Sequence, residues 1–199
     1  MLAEIPPPHG GPYRLGALDR GRLAAFSRLA TALAGSRAVL ATGEAKSEVA
    51  LGLATVATAE GARVALLEAD LAAPVLAGEL GLSPGPGLHE YLLGEAAARQ
   101  ILQALVLAGP ASGLAVEPLA CIVAGESGSA SVPLLATERC RHAIGRLRAA
   151  YDLLVIDGPG FDRDPEAVRK LTGLADATIV CGGRADRVPI PVAGLVVCS

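Results

Sequence analysis

Lys46 and Ser47 begin a helical pattern directly after an apolar run and a glycine. In a phosphate-binding loop, backbone N–H groups at a helix start face the phosphates and a lysine adds positive charge. The hydroxyl that follows the lysine binds Mg²⁺. We therefore predict a nucleotide-binding loop here, either working or eroded. Its candidate cofactor-binding residues are Gly43, Glu44, Ala45, Lys46 and Ser47.

Acidic residues end two other apolar runs of the chain. Glu68 and Asp70 close the run VALLEAD, and Asp157 closes LLVID. Because ligands of an open α/β sheet bind at the carboxyl ends of its strands, we expect these acids to lie beside the loop. Carboxylates at that place can hold a magnesium ion or orient a nucleophile. The candidate catalytic residues are Glu68, Asp70 and Asp157, and the candidate metal ligands are Ser47, Asp70 and Asp157.

Each feature alone also has an ordinary structural explanation. A serine near a helix start is a common cap, and an acid at a strand end often caps the next helix. Together, however, the lysine-containing loop is followed along the chain by two acidic strand ends. This order favours a nucleotide site as the explanation of the pattern.

The alternation of strand and helix patterns predicts an α/β fold, a mostly parallel sheet with helices on both faces. Residues 1–16, which contain a proline run, are predicted to be a flexible lead-in, and 17–199 to be a single domain. The predicted strands are 37–42, 64–70, 113–120, 151–160, 177–183 and 193–199. The predicted helices are 17–33, 46–59, 88–93, 96–107, 134–150 and 165–174, and a loop is predicted for 125–133.

The composition excludes several functional classes. The chain has 199 residues, is 52% hydrophobic but only 3% aromatic, and carries a net charge of −3. Without a basic cluster, nucleic acid is not expected as a partner. No run approaches the ~20 apolar residues of a membrane span, so we expect a cytoplasmic protein without direct membrane insertion. The cysteines lack metal-binding spacing, and we expect them to be reduced, buried thiols.

A colinear series of motifs resembles the cytoplasmic domain of bacterial tyrosine kinases (BY-kinases), a branch of the MinD/ParA-like deviant P-loop ATPases. GEAKSEVALGLA resembles the family's GEGKS and its helix, and VALLEADLAAPVL resembles its second motif. LGLSPGPGLHEYLLGE and GLAVEPLACIVAG are similar to the segments that follow. SVPLLATERCRHAIGRLRAAYDLLVIDGPG resembles the segment that leads to the Walker B strand. The resemblance extends from about Val39 to Val180 and implies a P-loop NTPase fold for 17–199.

The resemblance also implies roles for the candidate residues. Lys46 and Ser47 would bind ATP and Mg²⁺, Glu68 and Asp70 would assist the metal and deprotonate a tyrosine, and Asp157 would be the Walker B aspartate. Proteins of this family work beside polysaccharide polymerisation and export machinery. The implied partner is a membrane-anchored polysaccharide co-polymerase or related export protein. Assembly into a homo-oligomer at the inner face of the membrane is a further implication.

The sequence departs from the family pattern at the site itself. Only Thr42 separates the first strand from GEAKS, Ala45 replaces a glycine, and Glu68 stands where an aspartate is usual. Gly160 replaces the second proline of the Walker B turn, and no tyrosine cluster follows the last strand. A shortened loop offers fewer N–H groups to the phosphates, and a Cβ at position 45 is expected to clash there or to oppose the required dihedral.

These departures favour the first of three hypotheses about function. The first is a degenerate BY-kinase-like domain that acts as a regulatory or scaffolding partner in exopolysaccharide or capsule production, with weak or no ATP turnover. The second is an active ATPase or protein-tyrosine kinase of the same pathway. The third is a MinD/ParA-like nucleotide switch, which would need an amphipathic membrane-binding tail that the last residues, VAGLVVCS, do not provide.

Overall fold

The computed structural model describes residues 3–5, 20–106, 118–126, 131–182 and 194–198. Its strands are β1 (Ala3–Ile5), β2 (Ala38–Gly43), β3 (Val64–Glu68), β4 (Gln103–Leu105), β5 (Leu119–Ile122), β6 (Leu153–Asp157), β7 (Ala177–Cys181) and β8 (Gly194–Cys198). Its helices are α1 (Arg20–Ala32), α2 (Lys46–Ala59), α3 (Leu76–Leu80), α4 (Leu88–Leu93), α5 (Ala98–Ile101), α6 (Ser131–Leu135), α7 (Glu138–Ala150) and α8 (Pro165–Thr172).

All eight strands form one sheet in the order β1-β8-β7-β2-β6-β3-β5-β4. Every pairing is parallel except that of β4 with β5. The central strands β2, β3, β6 and β7 are buried almost throughout, as their continuous apolar runs predict for a sheet covered on both faces. The α/β fold class is therefore confirmed, and the carboxyl ends of β2, β3, β6 and β7 meet at one edge.

The helices divide between the two faces of the sheet. Helices α1 and α2 pack on one face, where the Phe26 ring fills the space above Gly52 so closely that a Cβ would lie 2.1 Å from it. Helices α4, α5, α7 and α8 contribute to a separate apolar cluster on the other face. Helix α2 follows β2 directly, and its start therefore lies at the edge where the acidic strand ends meet.

The prediction of one helix over 96–107 is wrong. Helix α5 ends at Ile101, and β4 follows it as an antiparallel edge strand on β5. The side-chain amide of Gln103 exchanges two hydrogen bonds of 2.9 Å with the backbone of Ser83. These non-local contacts outweigh the weak helix propensity of a short segment.

The prediction of one helix over 134–150 is also wrong, because α6 and α7 are separate helices. The hydroxyl of Thr137 accepts a hydrogen bond of 3.2 Å from the backbone N–H of Cys140 and so caps α7. Helix α6 already begins at Ser131, inside the segment 125–133 that was predicted as a loop.

Several predictions fall partly on residues that the structure does not describe, which are 1–2, 6–19, 107–117, 127–130, 183–193 and 199. Of the predicted lead-in 1–16, the structure describes Ala3–Ile5, which form β1 beside β8. None of the described helices has the length and hydropathy that a membrane span requires.

Candidate functional site

The loop between β2 and α2 is very short. Strand β2 ends at Gly43 and α2 begins at Lys46, so that only Glu44 and Ala45 lie between them. Gly43 has φ +108°, and a Cβ on it would lie 2.5 Å from the backbone oxygen of Cys181. Both the dihedral and the close approach of β7 require glycine at this position. Glu44 is exposed to solvent.

Ala45 has an unstrained backbone in the structure, and the expectation that its Cβ opposes a bound phosphate stays a prediction. Its φ of −98° lies in the range of ordinary residues. Its backbone N–H donates a hydrogen bond of 3.2 Å to the carbonyl oxygen of Cys181. An N–H group that a phosphate loop would direct at its ligand is therefore bonded within the protein.

Lys46 brings the predicted site residues together. Its Nζ lies 3.0 Å from Oδ1 of Asp157, 3.2 Å from Oδ2 of Asp70 and 3.3 Å from the hydroxyl of Ser47. Only 9% of the Lys46 side chain is exposed. The predicted convergence of the loop with the ends of β3 and β6 is present in the structure, and we name these four residues the Lys46 cluster.

Asp157 is the most deeply buried acid of the Lys46 cluster. Its Oδ2 has no hydrogen-bond partner among the described residues. Burial raises the pKa of the Asp157 carboxyl to about 6, although the nearby Lys46 ammonium acts in the opposite direction. This oxygen is available to accept a proton or to contact a cation.

Asp70 contacts a second cation that sequence reasoning missed. Nη1 of Arg163 lies 3.5 Å from Oδ2 of Asp70, and the N–H of Ala73 donates to Oδ1 of Asp70 at 3.1 Å. Arg163 lies in the turn after β6, where its N–H donates to the oxygen of Gly160. The only sequence signal for this contact is an arginine six residues after a Walker B-like aspartate. Whether the arginine side chain reaches Asp70 depends on the conformation of this turn.

The carboxylate of Glu68 is bonded to backbone N–H groups, which is not the arrangement expected for the predicted catalytic role. Its Oε1 accepts hydrogen bonds from the N–H groups of Val75 at 2.6 Å and Leu76 at 2.8 Å. Its Oε2 accepts one from Ala124 at 2.9 Å. The fully buried carboxylate thus holds the start of α3 and the loop after β5. This arrangement favours a structural role for Glu68, and its catalytic role stays a prediction.

A second carboxylate holds the same loop after β5. Glu90 accepts hydrogen bonds from Gly87 at 2.6 Å and Glu126 at 3.0 Å. Burial acts to raise the pKa of Glu90, but these backbone hydrogen bonds outweigh it and keep the pKa below its usual value. Gly125 has φ +96° and lies against this carboxylate, so the loop is fitted closely around Glu90.

Hydrogen bonds also join the end of β2 to the turn after β6. The Thr42 hydroxyl donates to the carbonyl of Pro159 at 2.7 Å, and the N–H of Gly158 donates to the carbonyl of Ala41 at 2.9 Å. A Cβ on Gly158 would lie 2.6 Å from a methyl group of Leu40. These contacts fix Asp157 beside Lys46.

The Lys46 cluster fits a magnesium ion that is bound together with phosphates. Mg²⁺ in such sites takes one or two carboxylates, a hydroxyl and several waters or phosphate oxygens. Ser47, Asp70 and Asp157 supply these groups, and the partnerless Oδ2 of Asp157 is a free acceptor among the described residues. The described part of the chain contains no group of three or more His, Cys, Asp or Glu side chains that could hold a metal ion by themselves.

Comparison with solved structures identifies the fold. The kinase domain of the Escherichia coli tyrosine kinase ETK superposes with a TM-score of 0.82 at 19% identity, covering 98% of this chain and 88% of that one. The VpsO kinase domain gives 0.74 at 21% identity, covering 88% of this chain and 92% of that one. MinD from Pyrococcus horikoshii, complexed with Mg-ADP, gives 0.55 at 21% identity, with 72% and 56% of the two chains covered.

The chain therefore has the P-loop NTPase fold that these tyrosine kinase domains share with MinD, and the fold expected from the sequence resemblance is confirmed. At these identities the likeness establishes the fold and does not establish an activity. No family model and no curated protein matches the sequence.

Proposed function

We propose that this chain is a degenerate P-loop domain that acts as a regulatory or scaffolding partner in exopolysaccharide or capsule production, with weak or no ATP turnover. The observation that carries the proposal is the state of the β2–α2 loop. Its Ala45 N–H bonds to Cys181, and the Lys46 ammonium is paired with two buried carboxylates. Two groups expected to meet phosphates, the Ala45 N–H and the Lys46 ammonium, are thus already bonded within the protein.

The energetic consequence for nucleotide binding follows from these contacts. A phosphate that drew Lys46 away would leave Asp70 and Asp157 without their buried countercharge unless a metal ion replaced it. A loop of two residues also cannot wrap a β-phosphate as a longer loop does. Each lost charge-assisted hydrogen bond is worth about 1.5–3 kcal/mol, so two losses weaken binding by about two to four powers of ten.

The place of the protein in the cell is proposed from its fold neighbours and from the sequence resemblance. The neighbours include two tyrosine kinase domains and the VpsO kinase domain. The proposed partner is a membrane-anchored polysaccharide co-polymerase or related export protein, and the proposed location is the cytoplasmic face of the membrane. A homo-oligomer, as the resemblance implies, would allow another subunit to complete the site.

A working ATPase or tyrosine kinase is the second candidate function. It is favoured by the partnerless Oδ2 of Asp157 beside the Ser47 hydroxyl, since a nucleotide-bound magnesium ion would use both groups. In that case Mg·ATP would displace Lys46 from the carboxylates, and Arg163 would add a second positive charge beside the phosphates.

Measurement of ATP turnover tests the proposal against this second candidate. Phosphate release and radiolabel transfer are followed for the wild type, Lys46→Ala and Asp157→Asn, with the ETK kinase domain as positive control. We expect all three proteins to remain at the same background rate. A wild-type rate at least tenfold above both variants would refute the degenerate state. Transfer of label to Tyr13 or to a partner would then separate a kinase from a simple ATPase.

A further inference from the structure

A cavity lies on the sheet face opposite α2, between α4, α5 and α7. Its volume is about 220 Å³. The floor is formed by Leu67 of β3 and Ile122 of β5, and the wall includes Ile101 and Leu147. It shares no residue with the Lys46 cluster, although Leu67 immediately precedes Glu68. We name it the α7 cavity.

Small side chains keep the α7 cavity open. Ala143 and Ala150 lie two turns apart on α7, and Ala98 of α5 also lines the cavity. The α7 cavity is partly open to solvent, and smaller enclosed apolar cavities near 150 Å³ already bind benzene. A volume of 220 Å³ accepts on the order of ten non-hydrogen atoms by the same measure. Arg146 and Leu102 of the lining are exposed, so a ligand can enter without unfolding a helix.

One cation at the cavity has no ion-pair or hydrogen-bond partner among the described residues. Helix α7 carries four arginines, and three of them have described interactions: Arg139 over the Tyr91 ring, Arg141 with Glu138, and Arg148 with Asp176. Arg146, which lines the cavity, makes no ion pair or hydrogen bond with any part of the chain that the structure describes. The cavity therefore combines an apolar interior with a free positive charge.

We propose that the α7 cavity binds a small amphiphile that has an apolar body of about eight carbons and a single anionic group. The apolar body occupies the space left by Ala98, Ala143 and Ala150, and the anionic group pairs with Arg146. The lining is rich in aliphatic side chains and contains two tyrosines, so it suits an aliphatic or an aromatic body. The proposal is independent of nucleotide binding at the Lys46 cluster.

The test uses octanoate, octylammonium and 1-octanol as probes, which share one chain and differ in the charge of the headgroup. Binding to the full chain is followed by calorimetry below micelle-forming concentrations, and by NMR shifts of the Ile101 and Ile122 methyl groups. We expect octanoate to bind at one site and to shift both methyl groups. Octylammonium is expected to bind at least tenfold more weakly, and 1-octanol between the two.

Two kinds of substitution locate the site, one that removes the cation and one that fills the cavity. Arg146→Gln is expected to weaken octanoate about tenfold and to leave 1-octanol unchanged, whereas the matched control Arg141→Gln on the same helix leaves both unchanged. Ala143→Leu fills the cavity and is expected to abolish binding of every probe. Ala150→Leu repeats that test from the other end of α7 if the first variant does not fold.

Three results overturn the proposal. The first is the absence of saturable octanoate binding, which would leave the cavity to a partner protein's side chain or to nothing. The second is equal affinity for octanoate and octylammonium. The third is an octanoate affinity that Arg146→Gln and Arg141→Gln lower to the same extent, since that would reflect net charge instead of a site.

Discussion

Glu68 ends β3 and Asp70 follows it two residues later, yet the two acids belong to regions that neutralise charge in different ways. Glu68, with Glu90, accepts hydrogen bonds from backbone N–H groups and holds the loop after β5. Asp70, with Asp157, faces the Lys46 ammonium. Backbone donors at fixed positions make a structural region, because a ligand cannot replace them without unfolding the loops.

In an ion pair between side chains, by contrast, a ligand can replace one partner without unfolding a loop. Lys46 leaves its carboxylates only if phosphates and a metal ion take over both charges. The Lys46 cluster is therefore the part of the edge that a ligand can rearrange without unfolding the loops. The comparison teaches that residue type alone does not separate the two roles. Glu68, Asp70 and Asp157 all end or follow a buried strand and are distinguished only by their partners, whereas Glu90 lies on α4.

The largest effect is expected for Glu68→Ala, which removes the acceptor of three backbone N–H groups. Because these donors lie in buried or half-buried surroundings, we expect the free energy of unfolding to fall by about 3–5 kcal/mol. Urea unfolding measures it, and Glu138→Ala, at an exposed pair on α7, serves as the control with little change. A loss as small as that of the control would remove the distinction between the two regions.

A smaller loss is expected for Gly43→Ala at the start of the loop. The positive φ and the 2.5 Å approach to the Cys181 oxygen both oppose a side chain, and we expect a cost of about 2–4 kcal/mol. Gly160→Ala is the matched control, since a Cβ there meets nothing within 4 Å. Equal melting temperatures for the two variants would show that β7 does not confine the loop.

The third prediction concerns the pH dependence of stability at Asp157. The folded protein holds this proton more tightly than the unfolded chain, because its pKa is about 6 instead of the ordinary 3.8. The stability of the wild type relative to Asp157→Asn should therefore fall by on the order of 2 kcal/mol as the pH rises from about 4 to about 6. Unfolding curves across that range measure the difference. A difference that increases with pH would mean that the pairing with Lys46 outweighs burial.

The smallest effect is expected for Arg163→Ala. Its side chain is 57% exposed and its contact with Asp70 measures 3.5 Å, so we expect a change in stability below about 0.5 kcal/mol. Thermal unfolding is sufficient to detect it. A loss above about 1.5 kcal/mol would place Arg163 among the structural residues of the edge.

The sequence alone predicted the elements that local patterns control. Helices α2 and α4 begin and end at the predicted residues, because a glycine precedes or follows each pattern. Strand β4 was missed because its pairing with β5 and the contact between Gln103 and Ser83 join distant parts of the chain. At the site, the meeting of Lys46, Asp70 and Asp157 follows from strand order. The bonding of Glu68 to three N–H groups and the direction of Arg163 depend on loop geometry that no local pattern encodes.

Titration with Mg·ATP tests most directly whether the internal bonding of the Ala45 N–H and the Lys46 ammonium keeps nucleotide from binding at the β2–α2 loop. The melting temperature of the wild type is followed up to about 1 mM nucleotide, with Lys46→Ala in parallel. We predict a rise of no more than about 1–2 °C in either protein. A rise of several degrees at sub-millimolar nucleotide in the wild type, absent in Lys46→Ala, would contradict the account.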